Sequence, residues 1–265
     1  MFIHDTILNR LKRGCETMDY PAGDAPALPD RHGGGLRVES ARCAADCSAC
    51  VSVCPTEAIT RASGQAVALD LGRCLFCAEC VRACPDRAIT QTGDHRLAAR
   101  LREDLVLGGT GKEQVRLAAA LNERLRGLFG RSLKLRQVSA GGCNACEADT
   151  NVLGTIGWDL GRFGIQFVAS PRHADGLLIT GPVSKNMALA LQKTYAAVPD
   201  PKIVIAVGAC AIAGGPFVGH SQVSDGAGAL VPVDLFVPGC PPHPLTILDG
   251  LLRLLDRLGG PSGKG

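Results

Sequence analysis

The sequence predicts an α/β domain built on a mainly parallel sheet, preceded by a smaller α+β domain. Three observations lead there. From Leu133 onward, short apolar runs alternate with helical stretches, the pattern of strands joined by crossover helices. Between residues 39 and 90 a motif recurs at an offset of 30 residues, which implies two similar units about a pseudo-twofold axis. The chain also carries 13 cysteines, and they fall in groups rather than singly.

Taken in chain order, residues 1–38 read as an amphipathic amino-terminal stretch, Ile7–Arg13, followed by a linker that holds Cys15. Residues 39–90 hold the repeat: Cys47-Ser-Ala-Cys50-Val-Ser-Val-Cys54-Pro55 matches Cys77-Ala-Glu-Cys80-Val-Arg-Ala-Cys84-Pro85. In residues 91–132, Leu117, Leu121, Leu125 and Leu128 are spaced as one face of a helix over Val115–Leu133, so this segment is expected to be a helical connector. Residues 133–258 alternate. Strands are expected at Leu135–Val138, Ile165–Ala169, Leu177–Thr180, Ile203–Val207 and Leu235–Val237. Helices are expected at about 147–160, 184–197 and 244–258. Residues 259–265 form a tail.

Composition narrows the function. The 28 Lys and Arg against 25 Asp and Glu leave a net charge of +3, and the basic residues form no block with stacking aromatics between them, so nucleic acid is an unsuitable partner. The opening residues lack a basic start followed by an apolar run and a small-residue cleavage site. A reducing, cytoplasmic setting is therefore expected, where grouped cysteines mean metal rather than disulfides. The longest apolar region, Ile203 to Gly219, is broken by Gly208, Gly214, Gly215 and Pro216 and does not suit a membrane span.

The run Cys74-x-x-Cys77-x-x-Cys80-x-x-x-Cys84-Pro85 has the spacing of bacterial two-cluster ferredoxins. In that arrangement three thiolates converge from one loop and the fourth ligates the other cluster. One 4Fe–4S cluster is then expected on Cys74, Cys77, Cys80 and Cys54, and a second on Cys43, Cys47, Cys50 and Cys84. The first run departs from the pattern, because three residues, Ala44-Ala-Asp46, separate Cys43 from Cys47. That gap fits either a four-iron cluster on a longer loop or a three-iron or labile one. Zinc in both repeats is the competing reading, and interleaved four-cysteine runs ending in proline are unusual for it.

Four further cysteines each follow an expected strand: Cys143 and Cys146 after Leu135–Val138, Cys210 after Ile203–Val207, and Cys240 after Leu235–Val237. Loops at the carboxyl ends of parallel strands gather ligands. Three loops would thus bring four thiolates to one sheet edge and hold a third 4Fe–4S cluster. Buried structural thiols are the alternative.

At this point a resemblance is visible. Cys143-Asn-Ala-Cys146-Glu147, Ser170-Pro-Arg-His-Ala-Asp175, Thr180-Gly-Pro-Val-Ser184, Pro199-Asp-Pro-Lys202, Gly208-Ala-Cys210 and Pro238-Gly-Cys240-Pro-Pro242 resemble the small subunit of membrane-bound, group 4 NiFe hydrogenases. They are also similar to the 20 kDa cluster-bearing subunit of respiratory complex I. This likeness covers about residues 133–258. Residues 39–90, with Leu71-Gly-Arg-Cys74-Leu-Phe-Cys77 and the opening Met1-Phe2 stretch, resemble the two-cluster ferredoxin-like subunit of formate hydrogenlyase and complex I. The resemblance implies a flavodoxin-like α/β domain fused to a ferredoxin domain, with the proximal cluster on Cys143, Cys146, Cys210 and Cys240. It implies an oxidoreductase subunit that transfers electrons between a larger partner's catalytic site and a redox partner, with no catalytic residue of its own.

Expected partners are a large NiFe hydrogenase-like subunit, membrane subunits of a respiratory-type complex, and formate dehydrogenase or a soluble redox carrier. The expected location is peripheral, on the inner face of the cell membrane. Complex I relatives carry adjacent cysteines at the first ligand position, whereas this chain has Cys143-x-x-Cys146 as hydrogenases do. Two other readings stay open: a nickel-free complex I-type module and a stand-alone ferredoxin-like carrier. By the same resemblance, Glu147 is expected near the subunit interface on a proton path, or simply as a first-turn helix acid. Arg172 and His173 are expected at the cluster edge of the sheet, where charge and hydrogen bonds would tune its potential. His243 and Cys15 are expected to be non-ligands.

Overall fold

The computed structural model of the chain describes residues 3–29, 32–44, 46–62, 66–109 and 112–258. The opening Met1-Phe2 and the tail 259–265 lie outside them. The first element is α1 (Ile3–Arg13). It has an exposed apolar stripe of Ile7, Leu8 and Leu11 and ends in Arg10, Lys12 and Arg13, where cations suit the helix dipole.

The amino-terminal domain contains β1 (Leu36–Val38), α2 (Ala49–Ser52), β2 (Ile59–Thr60), β3 (Ala68–Asp70), α3 (Glu79–Ala83), β4 (Ile89–Gln91) and β5 (Val106–Gly108). β1 pairs antiparallel with β4, and β2–β3–β5 form a second antiparallel sheet. The 30-residue repeat becomes two equivalent units here, with β2 and β4 following α2 and α3. β5 is a correction to the reading of 91–132. That segment is not simply a helical connector, because β5 pairs with β3 through Leu69↔Leu107 and completes the small sheet. The expected helix over Val115–Leu133 shortens to α4 (Glu123–Phe129). It starts where the Asn122 side chain accepts from the Leu125 N–H, a side-chain cap. Before it the chain is not helical: Ala118 N–H donates to Ala98 O, and Leu121 N–H to Leu254 O.

The carboxyl-terminal domain runs β6 (Leu133–Ser139), α5 (Ala145–Val152), β7 (Ile165–Phe167), β8 (Gly176–Thr180), α6 (Lys185–Ala197), β9 (Ile203–Val207), α7 (Ala209–Ala213), β10 (Leu235–Val237) and α8 (Pro244–Leu254). The five strands form a parallel sheet in the order β10-β9-β8-β6-β7. Numbered within the domain this is the flavodoxin-like order 2-1-3-4-5, whose switch point lies between its first and third strands, here β6 and β8.

β8 and β9 are buried along their whole length, as parallel strands covered on both faces must be. Side chains alternate between the two covers. Leu178, Ile203, Ile205 and Val207 pack with Leu248, Leu251 and Leu252 of α8, while Leu177, Ile179 and Val204 pack with Leu191 of α6. α8 is apolar almost all round and almost wholly buried, which is what a helix pressed between layers requires.

The two domains share a core. Ala206, Ala211, Ile212 and Phe236 of the second domain pack with Leu36, Leu71, Leu105 and Leu107 of the first. Ala99 and Phe236 exchange backbone hydrogen bonds of 2.9 and 3.0 Å, which covers the β10 edge of the sheet. The stretch read as a linker is also anchored. Tyr20 is buried in the α/β core, and its hydroxyl donates to Asp249 Oδ1 at 2.8 Å. Arg162 holds the carbonyls of Met18 and Tyr20, each at 2.6 Å.

Candidate cluster centres

Two small cavities lie in the amino-terminal domain. Cys43, Cys47, Cys50 and Cys84 line one, with Val67, Ala88 and Ile89. Cys54, Cys74, Cys77 and Cys80 line the other, with Ile59 and Leu69. The crossing of Cys54 and Cys84 between units follows from the fold. α2 and α3 lie side by side, so the cysteine after each helix reaches its neighbour's loop. Backbone amides approach the sulfurs symmetrically: Ala58 N–H donates to Cys54 Sγ and Ala88 N–H to Cys84 Sγ, both at 3.2 Å. Phe76 N–H donates to Cys74 Sγ at 3.3 Å.

The third set assembles at the carboxyl edge of the parallel sheet. Cys143 and Cys146 flank the start of α5 after β6, Cys210 lies in α7 after β9, and Cys240 follows β10. Their charges act on one another: burial first, then Cys210, Glu147, Cys240 and Cys143, pushes the Cys146 thiol up to about 12. Burial, then Cys240 and Cys143, pushes Cys210 up to about 11. The loops are tight. Gly208 has φ +91°, and a Cβ there would stand 2.5 Å from Cys146 Sγ; one on Gly215 would stand 2.7 Å from Cys210 Sγ. Only glycine leaves space around those sulfurs.

Two buried thiols of the first domain are also raised. Burial raises Cys74 to about 12, against the opposing Phe76 N–H. Burial and then Cys77, Cys54 and Cys50 raise Cys80 to about 11. Four crowded thiols around one cavity form a donor set that becomes stable as thiolates when a thiophilic metal replaces the protons. The all-sulfur sets, the N–H···S bonds and the glycine-cleared space fit iron–sulfur clusters. Among the described residues, no group of three or more His, Cys, Asp or Glu side chains is placed to hold a single metal ion.

Three features have no signal in the sequence. The first is the adjacency of two cysteine sets. Leu75 and Phe76, from the Cys74–Cys77 loop, line one cavity together with Gly239, Cys240 and His243. The second is the setting of Glu147. Burial pushes its carboxyl up, but the hydroxyls of Ser139 and Thr180, each donating to Oε1 at 2.6 Å, outweigh it and hold the pKa below the ordinary value. The third is Arg61, which grips the Cys43–Cys47 loop. Each depends on contacts that local spacing does not encode.

Arg172 and His173 do not lie at the cluster edge, which corrects the expectation for them. Their turn precedes β8, and the chain beside it joins the first half of β6, with Asp175 N–H donating to Lys134 O and Val168 N–H to Leu135 O. It therefore sits toward the opposite end of the sheet from Cys143. His243 caps α8 by accepting from Leu245 N–H through Nδ1. Cys15 is exposed and its thiol contacts Thr17 O, apart from all three sets. No helix among the described residues is long and apolar enough to cross a membrane.

Known proteins match both halves. Residues 143–254 match the family of the NADH ubiquinone oxidoreductase 20 kDa subunit, and residues 41–89 match the 4Fe-4S dicluster domain. A probable membrane-bound hydrogenase subunit of Pyrococcus furiosus is 43% identical over 130 residues, covering 49% of this chain and 78% of the relative. A subunit of the NADH-quinone oxidoreductase of Clostridium beijerinckii is 41% identical over 125 residues, covering 47% of this chain and 74% of the relative. The solved structure of a membrane-bound sulfane sulfur reductase, an archaeal respiratory membrane complex, aligns with 52% of this chain and 76% of its own at 32% identity and a TM-score of 0.45. The chain belongs to the family of the complex I 20 kDa subunit and the NiFe hydrogenase small subunit, and is an iron–sulfur electron-transfer subunit of an oxidoreductase, joined in one polypeptide to a 4Fe–4S dicluster domain.

Proposed function

We propose that the chain is the complete intramolecular relay of a membrane-associated NiFe hydrogenase or formate hydrogenlyase complex, with three 4Fe–4S clusters. Residues 39–90, extended by β5, hold two clusters and 133–258 hold one, with 91–132 as the joint. Cys143, Cys146, Cys210 and Cys240 face a large catalytic partner. Cys54, Cys74, Cys77 and Cys80 come next, because their loop shares a cavity with Cys240. Cys43, Cys47, Cys50 and Cys84 lie furthest along. When bound, the clusters supply one-electron carriers between the partner's site and a redox partner such as a formate dehydrogenase or soluble carrier. The protein's own part is to fix the thiolates, exclude water with Leu69, Val67 and Ile89, and aim the N–H groups of Ala58, Phe76 and Ala88 at sulfur, which tunes potential.

The observation that carries this reading is the grouping of twelve cysteines into three sets of four, one of them at the sheet edge where the fold places ligands. The Cys143-x-x-Cys146 spacing favours the hydrogenase branch. The 41% identity to a subunit of a NADH-quinone oxidoreductase supports a second reading, a nickel-free complex I-type module.

Purification under anaerobic conditions with native partners, followed by metal analysis, separates the two. About twelve irons from this chain with nickel near one per complex is the expected result. Full iron without nickel in an intact complex selects the second reading. A stable, partner-free monomer carrying all its iron would instead mark a free carrier.

A further inference from the structure

We infer that Arg61 is a positioning residue that clamps the widened Cys43–Cys47 loop and lets it serve a four-iron cluster. The inference rests on the ligand assignment above and concerns the one place where the two cysteine runs differ in spacing. At the 30-residue offset Cys47, Cys50 and Cys54 map onto Cys77, Cys80 and Cys84, but Cys74 maps onto Ala44. Cys43 therefore sits one residue further back than a regular run would put it. An extra residue gives a ligand loop more backbone freedom to lose on closing and shifts its first thiol out of phase with the other two.

Arg61 answers both problems. It follows β2 (Ile59–Thr60) directly, and β2 is held by pairing with β3, so the base of the side chain is fixed. One guanidinium nitrogen donates to Cys47 O, and the other to Ala44 O at 2.7 Å. These two carbonyls bracket the extra residue. Ala44 O also accepts from Cys47 N–H at 3.3 Å, so the two carbonyls that Arg61 holds belong to residues that are bonded to each other. Cys43, Ala44 and Cys47 then line the same cavity as Cys50 and Cys84.

The regular repeat lacks this clamp. Position 91, the counterpart of 61, is Gln91, and Cys77 O accepts from exposed Arg82 through a single 3.1 Å contact. The planar arginine fork, which fits two acceptors at once, stands only where the loop is long. Lysine has the charge without the fork.

The test uses the full chain co-purified anaerobically with its partners, reading iron per chain and the electron paramagnetic resonance of each cluster. Arg61→Gln and Arg61→Lys are both expected to convert one cluster to a three-iron form or lose it, removing about one to four of about twelve irons. The other two cluster signals should stay unchanged. Deleting Ala45 in the Arg61→Gln background restores the regular spacing and is expected to restore the iron.

Full iron with unchanged spectra in Arg61→Gln overturns the clamp. So does full iron with a shifted potential in Arg61→Gln but not in Arg61→Lys, which assigns the residue to charge alone. If Arg61→Gln no longer assembles, the Ala45 deletion decides: no recovery of the cluster overturns the inference. Cys43→Ala tests the underlying assignment separately. If it keeps all its iron, Cys43 is not a ligand and the ligand reading fails, whatever Arg61 does.

Discussion

The two halves of this molecule gather cysteines by opposite means. The amino-terminal domain takes eight from a stretch of 42 residues, and the partners of each cavity come from two short helices lying side by side. The carboxyl-terminal domain takes four from a stretch of 98 residues, and nothing but the sheet brings them together. In the first domain the sulfurs are themselves much of the core: Cys50, Cys74 and Cys80 pack among Leu69, Leu71 and Leu105. In the second, the sheet and α8 form a core of Leu, Ile and Val, and the cysteines stand at its rim. Metal should therefore be structural in one half and a passenger in the other.

That contrast is most exposed by removing iron. Chelation under anaerobic conditions is expected to release the backbone amides of residues 36–109 to hydrogen exchange while those of β8, β9 and α8 stay protected, since small metal domains fold with their metal. Equal loss of protection in both halves would break the contrast. A second experiment sharpens it from the other side. Gly208→Ala places a Cβ against Cys146 Sγ at a positive φ that costs an alanine on the order of 1–3 kcal/mol. It should remove one cluster signal, about four irons, and leave the ferredoxin pair intact. Cys240→Ala should do the same, and loss of all three clusters from a folded protein would refute the two-part division.

Smaller effects probe the α/β half's independence of its metal. Tyr20→Phe removes a buried hydroxyl from Asp249, which keeps Arg253 at 2.7 Å. The expected cost is about 2 kcal/mol, read as a lower midpoint in denaturant with unchanged iron. Thr180→Val takes one of two hydroxyls from Glu147 and should cost about 1 kcal/mol, again with full iron. Iron loss in either variant would mean that the third cluster and the core beneath it are one cooperative unit.

The strands of the α/β half are legible in the sequence because each is a short, largely apolar run. Ile203–Val207 and Leu235–Val237 lie where their apolar runs predict, and α6 begins one residue from its expected start. The cysteine runs are legible for a different reason, since their spacing is local. What escapes the sequence is what tertiary contacts decide. Leu117, Leu121, Leu125 and Leu128 have helical spacing, yet Leu121 lies outside the helix with its N–H bonded to α8, because burying it in the core with Leu254 outweighs one more helical turn. β5 is only three residues long and carries no period. Tyr20 is one aromatic in a stretch rich in Pro and Gly, with no pattern to mark it as core. Arg172 and His173 are misplaced by sequence reasoning because β7 is three residues long and its chain turns back before reaching the ligand edge.

The bond from Tyr20 to Asp249 spans 229 residues, and this has a consequence for synthesis. On the ribosome the amino-terminal domain emerges first, and domains fold as they appear. Its two cysteine sets are complete once Cys84 is out. The strap around Tyr20 has no seat until α8 has been made, and the third set has no fourth member until Cys240. The chain thus imposes a timetable on its own maturation: iron can enter the outer end of the proposed relay during translation, while the end that faces the catalytic partner is finished last, at the moment the strap closes.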